Sequence, residues 1–296
     1  MGPGFMGHGD TGSALVETAR AKINLALHVT GRREDGYHLL DSLVVFPDIA
    51  DRLTLEPANG LELRLEGPFG SELEGPAEDN LVLKAVRRFA ELSGSAPRIR
   101  LTLEKNLPVA SGIGGGSADA AAAIRLLERF TGIALPTEQR LELALSLGAD
   151  VPVCLGRRPA RMSGIGERLA PAPAMPPAGI VLVNPLKGVS TPAVFKAMMK
   201  RDNPLLPDLP EQFADLAALC AYLRDTRNDM QAAAEALCPA ITTVIDALAG
   251  LTDVAFARMS GSGATCFALC APGRETRIAD AVASRYPGWW IASGRL

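Results

Sequence analysis

The segment PVASGIGGGSA, residues 108–118, constrains this chain more than any other stretch. Four of the five positions from Gly112 to Gly116 are glycine, and an alanine-rich run, ADAAAAIRLL, follows at once. Glycine is the poorest ordinary helix former and alanine the best, so the chain changes character within three residues. Upstream, RIRLTLE (98–104) alternates apolar and polar residues and reads as a strand. The pattern predicts strand, glycine loop, then a helix over 117–131 that stops at Gly132.

A glycine loop opening a helix is an anion site by construction. The first-turn amides have no intrahelical partner, and the helix dipole adds partial positive charge. Glycine lets the backbone reach a phosphate oxygen with no β-carbon in the way and permits the positive φ that a nest of amides needs. Ser117 can cap the helix or offer its hydroxyl to a phosphate or to Mg²⁺. The alternative is a structural loop in close packing. Two familiar signatures fail: no lysine follows the glycines as the Gly-x₄-Gly-Lys-Ser/Thr loop requires, and Gly-x-Gly-x-x-Gly breaks at Ser117. A dinucleotide oxidoreductase is excluded on that ground and by element order.

The remaining elements follow from periodicity. KINLALHV (22–29) predicts a half-buried strand, with Ile23, Leu25, Leu27 and Val29 on one face and Lys22, Asn24, Ala26 and His28 on the other. DRLTLE and LELRLE flank Asn59-Gly60 and predict a hairpin. Asn80 is placed to cap a helix ending at Gly94, and a further helix spans 137–147, stopped by Gly148. The proline-rich stretch 169–178 reads as a connector. Beyond it come the strand GIVLVN, a helix begun by Thr191 as cap with Pro192 after it, helices near 211–224, 229–237 and 239–249, then VAFARM, a loop at 260–263, TCFALC, a helix near 273–285 and WWIAS. That order, strand–helices–strand–strand–helix–strand, predicts a ferredoxin-like sheet.

At 296 residues, 48% hydrophobic and 21% charged, the chain can bury one large or two ordinary domains. A net charge of −3 without a basic block speaks against a nucleic-acid partner. The five cysteines (Cys154, Cys220, Cys238, Cys266, Cys270) show no Cys-x-x-Cys spacing and lie far from the histidines, so reduced core thiols are expected. The uncharged stretch 169–186 holds five prolines and cannot be a membrane span. Residues 1–13 read as a leader outside the fold. The expectation is a cytoplasmic protein, monomeric or a weak homodimer, without membrane or nucleic-acid partners.

LPVASGIGGGSADAAAA resembles the phosphate-binding motif of the GHMP kinases, and ARAKINLALHVTGRREDGYHLLDSL, DNLVLKA, LGADVPVCL and MSGSGATCFAL extend the resemblance from about Ala19 to the last strand. The combination of GYH after an AKINL strand with GADVP is similar to the branch of that family acting on a cytidine-diphosphate conjugate of methylerythritol. The wider family often has Gly-Leu-Gly-Ser-Ser; here Gly-Ile-Gly-Gly-Gly-Ser shifts the hydroxyl, and Ser111 stands where glycine or alanine is usual.

The resemblance implies an α+β, two-domain GHMP kinase fold, with a ribosomal-protein-like nucleotide domain over 14–172, a ferredoxin-like domain over 173–296, and the active site between them. It implies ATP- and Mg²⁺-dependent phosphorylation of the 2-hydroxyl on the methylerythritol part of the conjugate, in non-mevalonate isoprenoid precursor biosynthesis. Pro108, Val109, Ala110, Ser111, Gly112, Ile113, Gly114, Gly115, Gly116, Ser117 and Ala118 would wrap the triphosphate. Asp150 would accept the hydroxyl proton, and Lys22 would orient that hydroxyl and meet charge on the γ-phosphate. Tyr37 and His38 would take the cytosine, with Thr191 and Phe195 opposite and Asn24 at the methylerythritol end. Gly261, Ser262 and Gly263 match a third family motif, which either closes over the phosphates or simply joins two strands. The metal ligands are not assigned. The rival readings are another GHMP kinase, such as a homoserine or mevalonate kinase, and a non-catalytic nucleotide- or RNA-binding module; DGYH speaks against the first and the neutral charge against the second.

Overall fold

The computed structural model describes residues 14–73, 75–76, 79–95 and 98–296; the expected leader, 1–13, lies outside them. In chain order the first half contains β1 (Leu15–Arg20), β2 (Ile23–Arg32), β3 (His38–Val45), β4 (Ala50–Pro57), β5 (Glu62–Glu66), α1 (Leu81–Ser93), β6 (Ile99–Glu104), α2 (Gly115–Thr131), α3 (Thr137–Leu147), α4 (Val151–Gly156), β7 (Ala160–Gly164) and β8 (Arg168–Pro171). The second half contains β9 (Gly179–Asn184), α5 (Thr191–Ala197), α6 (Leu216–Arg224), α7 (Gln231–Leu237), α8 (Ala240–Ala249), β10 (Val254–Met259), β11 (Cys266–Cys270), α9 (Glu275–Arg285) and β12 (Trp290–Arg295).

Among the described residues three four-stranded sheets result, in the orders β1-β4-β6-β5, β2-β3-β7-β8 and β10-β11-β9-β12. The third is antiparallel throughout and has the strand order expected of a ferredoxin-like unit. Its central strand, β9, is buried on both faces. Val181 and Val183 face the core under α7, α8 and α9, while Ile180 and Leu182 join a core shared with Ile23, Leu25, Leu43 and Val45 of the first half. A separate core lies between the first sheet and α1, α2 and α3, where the run Ala120–Ala123 lets α2 sit close to its neighbours.

Two expectations fail here for identifiable reasons. β4 and β5 do not form a hairpin: β6 lies between them, antiparallel to β4 and parallel to β5. A two-residue Asn-Gly hairpin turn needs positive φ at its glycine, and Gly60 has none. β2 is not half-buried but buried on both faces over Ile23–Val29. The second half covers the face expected to be wet, where His28 contacts the carbonyl of Pro204 at 2.8 Å and the amide of Arg227 at 3.0 Å, and it also pairs with the strand edge through the Leu27–Asn228 bridge. Bulges between Asn24 and Ala26 and between Val29 and Gly31 also break the strict alternation.

Helix starts need two smaller corrections. α2 begins at Gly115 behind a left-handed Gly114 (φ 64°) and has no side-chain cap, so Ser117 lies inside the first turn and cannot cap it. At α5 the capping position is Ser190, not Thr191, which is already helical. Asn80 does cap α1, its Oδ1 accepting from Val82 N at 2.9 Å. All five cysteines are free and buried.

Candidate active site

Lys22 sits just ahead of β2 and Asp150 just ahead of α4, 128 residues apart, yet Lys22 Nζ donates to Asp150 Oδ2 at 2.8 Å. The lysine side chain is 6% exposed and the aspartate 32%, so the ammonium is fixed from within and the carboxylate opens to the cavity. The main-chain amide of Lys22 donates to the Ile113 carbonyl at 2.8 Å, tying the strand end to the glycine loop. Gly114 passes directly over the pair: a β-carbon there would stand 3.2 Å from Lys22 Cβ and 3.8 Å from Asp150 Oδ2.

The loop itself is held open by backbone geometry. Ala110, Gly112 and Gly114 all have positive φ, and the Ser111 hydroxyl donates to the Pro108 carbonyl at 2.6 Å. The uncapped α2 N-terminus leaves first-turn amides for a ligand. Most of the expected loop residues line a cavity of about 720 Å³ with Lys22, Asn24 and Asp150. Ile113 and Ala118 depart from the set, since their side chains are buried in the two cores and only their backbone belongs to the loop. The Ser260–Thr265 turn braces the loop from the other half: Thr265 N donates to Ser111 O at 3.2 Å and Ser260 Oγ to Gly112 O at 3.2 Å.

A buried cluster under the loop was not singled out from the sequence. Lys105 Nζ bridges Asp51 Oδ2 at 2.5 Å and Asp119 Oδ2 at 2.7 Å, and Asp51 Oδ1 also accepts from the amides of Asn106 and Leu107. Gly115 leaves room for it, because a β-carbon there would lie 3.0 Å from Lys105 Nζ. Burial opposes the ammonium charge, but the Asp119 and Asp51 carboxylates outweigh it and raise the lysine pKa. Asp119 is pushed up to about 7, chiefly by burial, with Lys105 opposing. The available signal was a lone aspartate in an alanine helix, a charge with no business in a core unless paired. Leu73, Pro76, Asn80, Leu81 and Leu103, also not foreseen as site residues, line the same cavity.

At the other end, His38 opens β3 and stacks on Phe195 of α5, with centroids 4.1 Å apart and planes 6° from parallel. Tyr37 precedes it on a turn with Gly36 at φ 92° and is 61% exposed. Burial, then Arg32 and Arg201, lower the His38 pKa. These residues line a second cavity of about 640 Å³, which shares Leu40, Thr191 and Phe195 with the first. Thr191 Oγ1 lies 2.7 Å from Ser262 Oγ, a link between α5 and the bracing turn. Asn24 is fully buried, donates to Ser42 Oγ at 2.7 Å, and keeps Oδ1 without a protein partner at the cavity wall. Lys22, Asn24, the loop and Asp150 thus meet in one cavity, and Tyr37 and His38 in its neighbour, with Thr191 and Phe195 common to both.

The chain is similar to known proteins in both sequence and fold. Residues 80–157 match the GHMP kinases N terminal domain and residues 205–288 the GHMP kinases C terminal family. A 4-diphosphocytidyl-2-C-methyl-D-erythritol kinase of Gluconacetobacter diazotrophicus is 52% identical over 291 residues, covering 95% of each chain. One of Paracoccus denitrificans is 53% identical over 281 residues, covering 95% of this chain and 96% of its own. The crystal structure of a 4-(cytidine 5'-diphospho)-2C-methyl-D-erythritol kinase superposes with a TM-score of 0.78 at 35% identity, covering 95% of this chain and 98% of that one. Homoserine kinase from Cytophaga hutchinsonii shares the fold, with a TM-score of 0.69 at 18% identity over 99% of this chain and 97% of its own. The chain belongs to the GHMP kinase family and, within it, to the 4-diphosphocytidyl-2-C-methyl-D-erythritol kinases.

Proposed function

We propose that this protein transfers the γ-phosphoryl group of ATP to the 2-hydroxyl of 4-diphosphocytidyl-2-C-methyl-D-erythritol, a step of non-mevalonate isoprenoid precursor biosynthesis. Membership of the GHMP kinases makes it an ATP-dependent small-molecule kinase. The observation that carries the reading is the Lys22–Asp150 contact under Gly114, in a cavity that shares Leu40, Thr191 and Phe195 with the aromatic one.

Phosphoryl transfer asks a protein to position two reactants and to neutralise charge on the moving group. The triphosphate lies along the loop amides from Gly112 to Ala118, with the Ser117 hydroxyl available to a phosphate oxygen, and the adenine goes toward Leu73, Asn80, Leu81 and Leu103. The acceptor enters from the other cavity, its cytosine on the aromatic group of Tyr37, His38 and Phe195 and its methylerythritol end at Asn24. The 2-hydroxyl then faces Asp150, which takes its proton as the oxygen–phosphorus bond forms and ADP departs. Lys22 holds Asp150 in place and meets the negative charge of the γ-phosphate.

Mg²⁺ would withdraw charge from the β- and γ-phosphates. Ser117, which lines the cavity, would hold it together with the nucleotide's own oxygens, as Mg²⁺ needs few protein ligands beside phosphates. We also infer the division into 14–172 and 173–296, since the first two sheets end with β8 and the third begins with β9. No described helix is long and apolar enough to cross a membrane.

An ADP-release assay across candidate acceptors tests the reading. Turnover should require the cytidine-diphosphate conjugate and be competed by CDP; equal turnover of homoserine or mevalonate would overturn it.

A further inference from the structure

The aromatic platform for the base depends on a short helix with a weak end. α5 has seven residues, and isolated helices of that length are not stable in water. Val194 and Met198 pin its inner face. Its last carbonyls would otherwise lack partners, and Phe195 itself is only half-buried. Arg201, beyond the helix, supplies them: Nε and Nη2 donate to the Phe195 carbonyl at 3.0 and 2.8 Å, and Nη2 also to the Lys196 carbonyl at 2.9 Å. The residue whose ring stacks on His38 is therefore the one whose main chain Arg201 grips.

We propose that Arg201 is a positioning residue for base recognition, fixing through Phe195 the face against which the pyrimidine of the acceptor stacks. The inference rests on the function proposed above and adds a residue to it. Arg201 also lines the base cavity with Arg32, Lys196 and Asp35, the charged groups that surround His38 from the β2 end, the Asp35–Gly36 turn and α5. Both arginines oppose protonation of His38, whose Nε2 is buried with no protein partner. An uncharged imidazole both donates and accepts a hydrogen bond, whereas the imidazolium only donates. Arg201 thus acts twice on one platform, through the Phe195 main chain and through the charge facing His38.

The two actions separate in Arg201→Ala and Arg201→Lys. Lysine keeps the charge but lacks the planar fork that holds two carbonyls. Both variants should raise KM for the cytidine-diphosphate conjugate roughly three- to tenfold at pH 8, the worth of a misplaced stacking partner. KM for ATP and kcat should stay within about twofold. Only Arg201→Ala should move the acid-side rise in conjugate KM to higher pH. The His38 imidazole resonance of the free protein, one of three histidines, should titrate correspondingly higher in that variant and unchanged in Arg201→Lys. An unaltered conjugate KM, an equal rise for ATP and conjugate, or the same pH-independent loss in both variants would overturn the proposal. Failure of the wild-type protein to turn over the conjugate would instead remove the proposed function, and the NMR titration reads His38 without any substrate.

Discussion

A β-carbon on Gly261 would lie 2.5 Å from the carbonyl oxygen of Gly112, though 149 residues separate the two in the chain. The converse holds: a β-carbon on Gly112 would stand 2.7 Å from the carbonyl oxygens of Ser260 and Gly263. The turn from the second half and the glycine loop of the first are therefore in main-chain contact, and both glycines also have positive φ (57° and 77°). Gly112→Ala and Gly261→Ala should each raise KM for ATP about tenfold or more and lower Tm, because the left-handed conformation alone costs about 1–2 kcal/mol before any clash. Gly60→Ala, with open space and no positive φ, should change stability by less than about 0.5 kcal/mol. Thermal unfolding and ATP kinetics on the three variants check the contrast.

Asp150→Asn should lower kcat by about 10²–10⁴-fold, the usual worth of a positioned base. Nucleotide affinity should barely change, since the loop amides remain in place and asparagine can still accept from Lys22. Single-turnover kinetics beside an ATP titration separate the two quantities. Near-normal turnover would remove Asp150 from the mechanism.

Tyr37→Ala should weaken the cytidine-diphosphate conjugate several-fold more than ATP, as an exposed ring beside the His38–Phe195 stack is free to cover a base. Equal losses for both substrates would mean that the acceptor pocket lies elsewhere. Steady-state KM values with each substrate varied in turn decide between these outcomes.

The cluster beneath the loop sets a pH dependence of stability. The Asp119 carboxyl rises from 3.8 to about 7 on folding, so the folded chain binds its proton more tightly than the unfolded chain. This group's contribution is therefore fully present below pH 3.8 and is lost as the pH rises through about 7. Asp119→Asn should flatten that part of the Tm-against-pH curve. Lys105→Met leaves two buried carboxylates without their cation and should cost about 3–5 kcal/mol, measured by urea unfolding.

Much of the site was legible because its chemistry is local. The glycine loop, the Asn80 cap and the strand–helix order of the second half each rest on neighbours within a few residues. The Lys105 cluster was not legible: Asp51, Lys105 and Asp119 lie on β4, just after β6, and on α2, and no spacing announces their meeting. Nor was the β6 insertion between β4 and β5, because alternation marks a strand without naming its partner.

The sequence by itself determined the local conformations: where backbone must take positive φ, where helices end, and which family these patterns match. Tertiary structure alone decided which faces were buried and which charges met. β2 alternates as a half-buried strand should, yet a second half packed on its polar face and buried Asn24 and His28. Lys22 and Asp150 are ordinary residues until the fold places their charged ends 2.8 Å apart. Periodicity records interactions along a chain, whereas burial and ion pairing depend on what arrives from elsewhere in it.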